Sequence, residues 1–174
     1  SGTTVLGAFD DVAAIAEVCR KYNLWLHVDA SWGGAAAFLP HDAPERSVLA
    51  GLENAHSITI NPHKLLGVTH QCSFLLVHDK SVLIPPSHSD GGYLFHVPAE
   101  DALDMATKTL GCGRRGDALK FYLVWLRYGT QGLGDHIAHG LRMAQALWQR
   151  LQLIPSLELG PHADPLFLQI CVRP

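Results

Sequence analysis

The sequence predicts an α/β fold, a mostly parallel sheet with flanking helices that passes near its end into a smaller α+β module. Three observations carry that reading. A strand, a helix and a second strand follow one another before residue 30, which is the order of a βαβ unit. The run Leu24-Trp25-Leu26-His27-Val28-Asp29 is short and almost continuously apolar, as expected of a parallel strand covered on both faces. Past residue 128 a second helical pattern gives way to short strand patterns, which suggests α+β packing and places the division between 1–128 and 129–174.

Taken in order, Thr3 to Leu6 reads as the end of a strand, broken by Gly7. Asp10 or Asp11 can cap a helix running to about Tyr22, with Val12, Ile15, Ala16 and Cys19 on one face. The strand ending at Asp29 follows, and small residues Ala30, Ser31, Gly33 and Gly34 come directly after it. Ligands in open α/β sheets bind at the carboxyl ends of strands, so Asp29 is a candidate site residue. Pro40 to Arg46 is a polar loop leading to a short helical segment that ends near Leu52. Ser57-Ile58-Thr59-Ile60 alternates and is β-branched, hence a strand, and Asn61-Pro62-His63-Lys64 turns away from it because proline cannot continue regular pairing.

Gln71 to Val77 reads as a further strand. Ser81 to Gly92, with Pro85-Pro86 and Gly91-Gly92, has the length of a functional lid. A helix from about Arg114 to Tyr128 carries Leu119, Tyr122, Leu123 and Leu126 on one stripe, and Gly129 ends it. A second runs from Gln131 to Leu151 with Ile137, Leu141, Ala144 and Leu147 inward, and Leu157–Leu159 and Leu166–Val172 are strands around a turn.

The bulk numbers narrow the function. The chain has 174 residues, 48% of them hydrophobic and 17% charged, a globular composition with no apolar run near the ~18 residues of a membrane span. A formal net charge of −3 with no basic run argues against a nucleic-acid partner. Cys19, Cys72, Cys112 and Cys171 form no C-x-x-C pair, so reduced thiols and a cytoplasmic location are the expectation. The sequence opens without methionine and stops just after an apolar strand, which suggests a piece of a longer protein.

Chemistry concentrates at two strand ends. A lysine fixed and desolvated at such a place can use its neutral amine to attack a carbonyl, which makes Lys64 a candidate Schiff-base lysine. Asp29 supplies a carboxylate from a second strand, and Thr4, at the end of a third, can orient it by a hydrogen bond. A lysine and a carboxylate on the pyridine nitrogen are what a pyridoxal 5'-phosphate site requires, and Asn61 and His63 can donate to a phosphate. Rival features are weaker. His136 and His139 lack a third metal ligand, and Gly132-Leu133-Gly134 follows a helix and lacks the third glycine of a dinucleotide loop.

His27-Val28-Asp29-Ala30-Ser31-Trp32-Gly33-Gly34 and Asn61-Pro62-His63-Lys64 resemble the signature segments of the group II pyridoxal-phosphate-dependent amino-acid decarboxylases. Gln71-Cys72-Ser73, Gly92-Tyr93-Leu94-Phe95 and Cys112-Gly113-Arg114-Arg115-x-Asp117-x-x-Lys120 resemble its acidic-substrate branch, which contains glutamate, cysteine sulfinate and aspartate decarboxylases. The resemblance implies the aspartate-aminotransferase-like fold, fold type I, with 1–128 belonging to the large cofactor domain and 129–174 opening the small one. It implies a homodimer with sites at the interface, Lys64 as the cofactor lysine, Asp29 as the pyridinium partner and Thr4 as its support. Asn61 and His63 become phosphate-side contacts, Ala30 and Ser31 lie against the ring, and Tyr93 on its loop returns a proton after CO2 leaves. Ser31 stands where that family more often has alanine. The implied reaction is decarboxylation of a small acidic L-amino acid. The alternatives are transamination or desulfuration on the same fold, or an inactive dimerisation subunit. The chain by itself is expected to lack activity and to hold the cofactor poorly.

Overall fold

The computed structural model describes residues 1–83, 115–160, 164–165 and 167–174. Its first helix, α1 (Val12–Lys21), starts where Asp11 accepts a hydrogen bond from the Ala14 amide at 3.0 Å, satisfying one of the donors a helix start leaves open. Val12 and Ala16 bury the inner face, while Ile15, read as inward, is 40% exposed.

Strand β1 (His27–Asp29) pairs in parallel with β2 (Ser57–Ile60), with Asp29 opposite Thr59. Leu26, Val28 and Ala30 pack on α1, whereas Leu24, Trp25, His27 and Asp29 are exposed. Among the described residues, then, β1 is covered on one face, not on both. β3 (Phe74–Val77) lies on the other side of β2 and runs antiparallel to it. Only one turn of helix, α2 (Pro62–Leu65), separates them, and without a crossover helix the chain returns along β2 in the opposite sense.

The segment read as a strand end, Thr3 to Leu6, is instead a turn. The amides of Gly2 and Thr3 donate to the Ala8 carbonyl, and Gly2 and Gly7 have φ of 75° and 64°, which bends the chain back before a strand can form. Between β1 and β2 the chain makes 3₁₀ segments at Gly33–Phe38, Pro44–Leu49 and Leu52–Asn54.

Helix α3 (Asp117–Leu151) has two limbs separated at Gly129, whose φ of 66° and ψ of 177° interrupt the helical path where the sequence placed an end. The second limb buries Leu133, Ile137, Ala144 and Trp148; Leu147, assigned to that face, is 49% exposed. Leu133 and Ile137 join Ala35, Ala36, Leu39, Leu66 and Phe167 in one core, so residues on both sides of position 129 share it. Gly134 permits this contact, because a Cβ there would stand 2.3 Å from the Phe38 carbonyl oxygen. The last strands are two residues each, β4 (Glu158–Leu159) antiparallel to β5 (Val172–Arg173), shorter than the apolar runs around them. No helix among the described residues is long and apolar enough to cross a membrane.

Candidate active site at the strand ends

The parallel pairing of β1 with β2 brings the sequence's two chemical groups to one sheet edge. Beyond the last paired residues, the Ala30 amide donates to the Thr59 carbonyl at 2.9 Å, holding the end of β1 on β2. β2 then stops, Asn61 is still extended, and Pro62 begins α2 at a position where its missing N–H removes no intrahelical bond. Lys64 lies on that single turn, its amide bonded to the Asn61 carbonyl at 3.0 Å. The placement is set by local chemistry, since a β-branched strand meets a proline that is compatible only with a helix start.

Lys64 is half-buried, and its Nζ stands 5.6 Å from the centroid of the Trp32 ring, within cation–π range. Among the described residues its Nζ makes no hydrogen bond and no ion pair, which leaves the amine uncommitted. Asp29 is exposed at the end of β1. Its Oδ1 accepts from the Ser31 hydroxyl at 2.5 Å and from the Ser31 amide at 2.9 Å. Those two bonds, the hydroxyl first, hold the carboxyl below its ordinary range; the charge of Lys64 adds a smaller pull in the same direction, and partial burial opposes it. Asp29 is therefore a carboxylate at neutral pH, and Lys64 is near enough for its charge to be felt there.

The flanking residues divide. His63 is half-buried, with Nδ1 at 3.0 Å from the Cys72 amide nitrogen and 2.5 Å from the Cys72 carbonyl oxygen, so only Nε2 is open to a ligand. The Asn61 side-chain oxygen is buried and has no partner, an unfilled polar valence beside the lysine. Thr4 is exposed in its turn and makes no hydrogen bond to Asp29; the support expected from Thr4 comes from Ser31, because the N-terminal segment folds into a loop and not a third strand. Ala30 corrects another expectation. It is 0% exposed within the α1–β1 core, since strand alternation turns its methyl away from the face that carries Asp29. Ser31 remains half-exposed beside the carboxylate. Tyr93 lies outside the described residues.

One support was named in the sequence without its role. Lys120, on the first limb of α3, donates to the carbonyls of Thr69 and Gln71, at 3.2 and 2.5 Å, and pairs with Asp117 at 2.8 Å. It thereby pins the loop whose Cys72 backbone holds His63. The i, i+3 spacing of Asp117 and Lys120 was the available signal, but their backbone partners are some fifty positions earlier. Burial, with Asp117 second, pushes the Cys72 thiol up and keeps it protonated. Among the described residues no group of three or more metal-ligating side chains gathers, and the larger grooves lie elsewhere, along Leu39, Arg142 and Phe167 or along Met143, Leu147 and Ile170.

The residues fit pyridoxal phosphate: an uncommitted amine and an ionised carboxylate on the neighbouring strand end. A lysine and a carboxylate at neighbouring strand ends of an α/β sheet are the pair that a pyridoxal-phosphate enzyme of fold type I uses. Residues 1–172 match the family model described as the pyridoxal-dependent decarboxylase conserved domain, and the chain belongs to that family. It is 44% identical over 172 residues to the L-aspartate decarboxylase of Metarhizium robertsii, a match covering 98% of this chain and 34% of that protein. To the human cysteine sulfinic acid decarboxylase it is 42% identical over 174 residues, again 98% of this chain and 34% of the relative. A crystal structure of mouse CSAD superposes with a TM-score of 0.84 at 40% identity, covering 99% of this chain and 35% of that one. The chain thus spans about a third of the length of the relatives it matches.

Proposed function

We propose that the protein decarboxylates a small acidic L-amino acid, namely aspartate, cysteine sulfinate or glutamate, to the amine and CO2, with pyridoxal 5'-phosphate as cofactor. The observation that carries the proposal is the uncommitted Lys64 amine on the turn that follows β2, next to the ionised Asp29 at the end of β1. Membership of the family supports the cofactor, and the names of two relatives, an aspartate and a cysteine sulfinic acid decarboxylase, support an acidic substrate. When bound, the cofactor supplies a reactive carbonyl and a ring that withdraws the electron pair left as CO2 departs.

The chain's own residues do the rest. Lys64 would hold the cofactor at its carbonyl carbon through Nζ, the nucleophilic amine of the site. Asp29 keeps a proton on the pyridine nitrogen, which requires a carboxylate, the form its bonds to Ser31 favour. His63 through Nε2 and Asn61 through its amide take the phosphate side, and Ser31 borders the ring. Tyr93 is assigned the return of a proton to the substrate's α-carbon. The reading extends to a homodimer with the site at its interface, a cytoplasmic location, and a division of domains at Gly129.

The test uses the full-length protein with pyridoxal phosphate and each of the three acids, assayed for CO2 and amine against keto acid. The expected result is amine and CO2 from at least one acid, and loss of both in Lys64→Ala. Keto acid as the main product would reassign the chemistry to transamination, and full activity in Lys64→Ala would sink the mechanism.

A further inference from the structure

The carboxylate of Asp29 is not left to find its own orientation. Both hydrogen bonds it receives come from Ser31, two residues on, and both end on the same oxygen. The hydroxyl bond is 2.5 Å, the short range of an O–H donor meeting a charged acceptor, and the amide bond is 2.9 Å. Oδ2 accepts no hydrogen bond among the described residues, so one oxygen is tethered and the other is available.

We propose that Ser31 is the positioning residue of Asp29, fixing its carboxylate through Oδ1 so that Oδ2 is presented to the pyridinium N–H of bound pyridoxal phosphate. This rests on the reading of Asp29 as the pyridinium partner. The tether acts in two ways. Geometrically, a side chain at an exposed strand end would otherwise sample several rotamers, and the bridge to its own turn selects one before the cofactor arrives. Electrostatically, two donors on one oxygen stabilise the ionised form. The other side-chain charge facing Asp29 is Lys64 on α2; His27 shares the exposed face of the same strand, and the β2 residue paired with Asp29, Thr59, is uncharged. The Ser31 hydroxyl contributes more than any of them to keeping the carboxyl ionised.

The test is cofactor binding to the full-length apoprotein, followed by the absorbance of bound pyridoxal phosphate, for wild type, Ser31→Ala, Ser31→Thr and Asp29→Asn. Removing the hydroxyl while the amide bond survives is expected to weaken binding about fivefold at neutral pH, the scale of one hydrogen bond to a charged group at a partly exposed site. The acid limb of the binding profile moves to higher pH in Ser31→Ala, because the carboxyl loses its main stabiliser and takes up a proton earlier. Ser31→Thr, which keeps the hydroxyl, restores both. Circular dichroism at each pH separates these effects from unfolding; a purely structural role would lower the melting temperature without moving the acid limb. If Asp29→Asn binds as wild type does, the reading of Asp29 fails. If Asp29→Asn weakens binding while Ser31→Ala overlays wild type in affinity and pH dependence, Ser31 is not the positioning residue.

Discussion

The two limbs of α3 carry the same helical spacing of large apolar residues and meet opposite surroundings. On the first limb Leu119, Tyr122, Leu123 and Leu126 are between 53 and 70% exposed; on the second, Leu133, Ile137 and Trp148 are no more than 4% exposed. The first limb attaches by its other side, through Phe121 and Trp125 against Phe38 and Phe74, and by its polar start, where Lys120 and Asp117 hold the loop behind His63. The second attaches through an apolar stripe sunk in the main core. Periodicity, in other words, states that a helix has an apolar face; whether that face is covered depends on what the rest of the fold brings to it.

Substitutions along the helix break or sharpen that contrast. The largest effect belongs to Ile137→Ala on the buried limb, about 2–5 kcal/mol of lost stability by chemical denaturation, since the side chain is enclosed and leaves a cavity. Gly134→Ala follows at about 1–3 kcal/mol, because its new methyl meets the Phe38 carbonyl and the limb must lift from the Gly33–Phe38 segment. Lys120→Met on the first limb is expected to cost about 1 kcal/mol, and faster hydrogen exchange of the Cys72 amide is its local signature, as the loop over His63 is released. Leu126→Ala, 70% exposed, should change stability by less than about 0.5 kcal/mol. Equal losses at Ile137 and Leu126 would refute the asymmetry of the limbs.

Features set by neighbours in sequence were legible. Asp11 caps α1 because its side chain reaches an amide three residues on; Ser57–Ile60 is a strand because β-branched residues alternate up to a proline; Gly129 interrupts α3 because the backbone there needs positive φ. Some readings failed on a local detail, others where a distant segment decides. Thr3 to Leu6 has strand-forming residues, but two positive-φ glycines close it into a turn. Leu147 was assigned to the stripe, yet Trp148 lies eleven residues beyond Ile137, nearer to three full turns, and takes the buried place. At the site, Lys64 and Asp29 could be named from residue type and strand ends. Which residue supports Asp29 could not, since Ser31 replaces Thr4 only once the chain after β1 has turned.

The sequence by itself determined the chemistry available: one lysine and one aspartate, each at the end of a strand, with a proline and small residues to turn the chain there. Those are properties of residue types and of backbone rules that act over a few positions. Only the tertiary structure decided that β1 and β2 are parallel neighbours, so that both groups reach the same edge, that Ala30 faces the core while Ser31 grips Asp29, and that Lys120 reaches back to the loop of His63. Hydrogen-bond partners and covered faces are chosen by which surfaces meet in space, and a chain order that separates Lys120 from Gln71 by 49 residues holds no local record of that meeting.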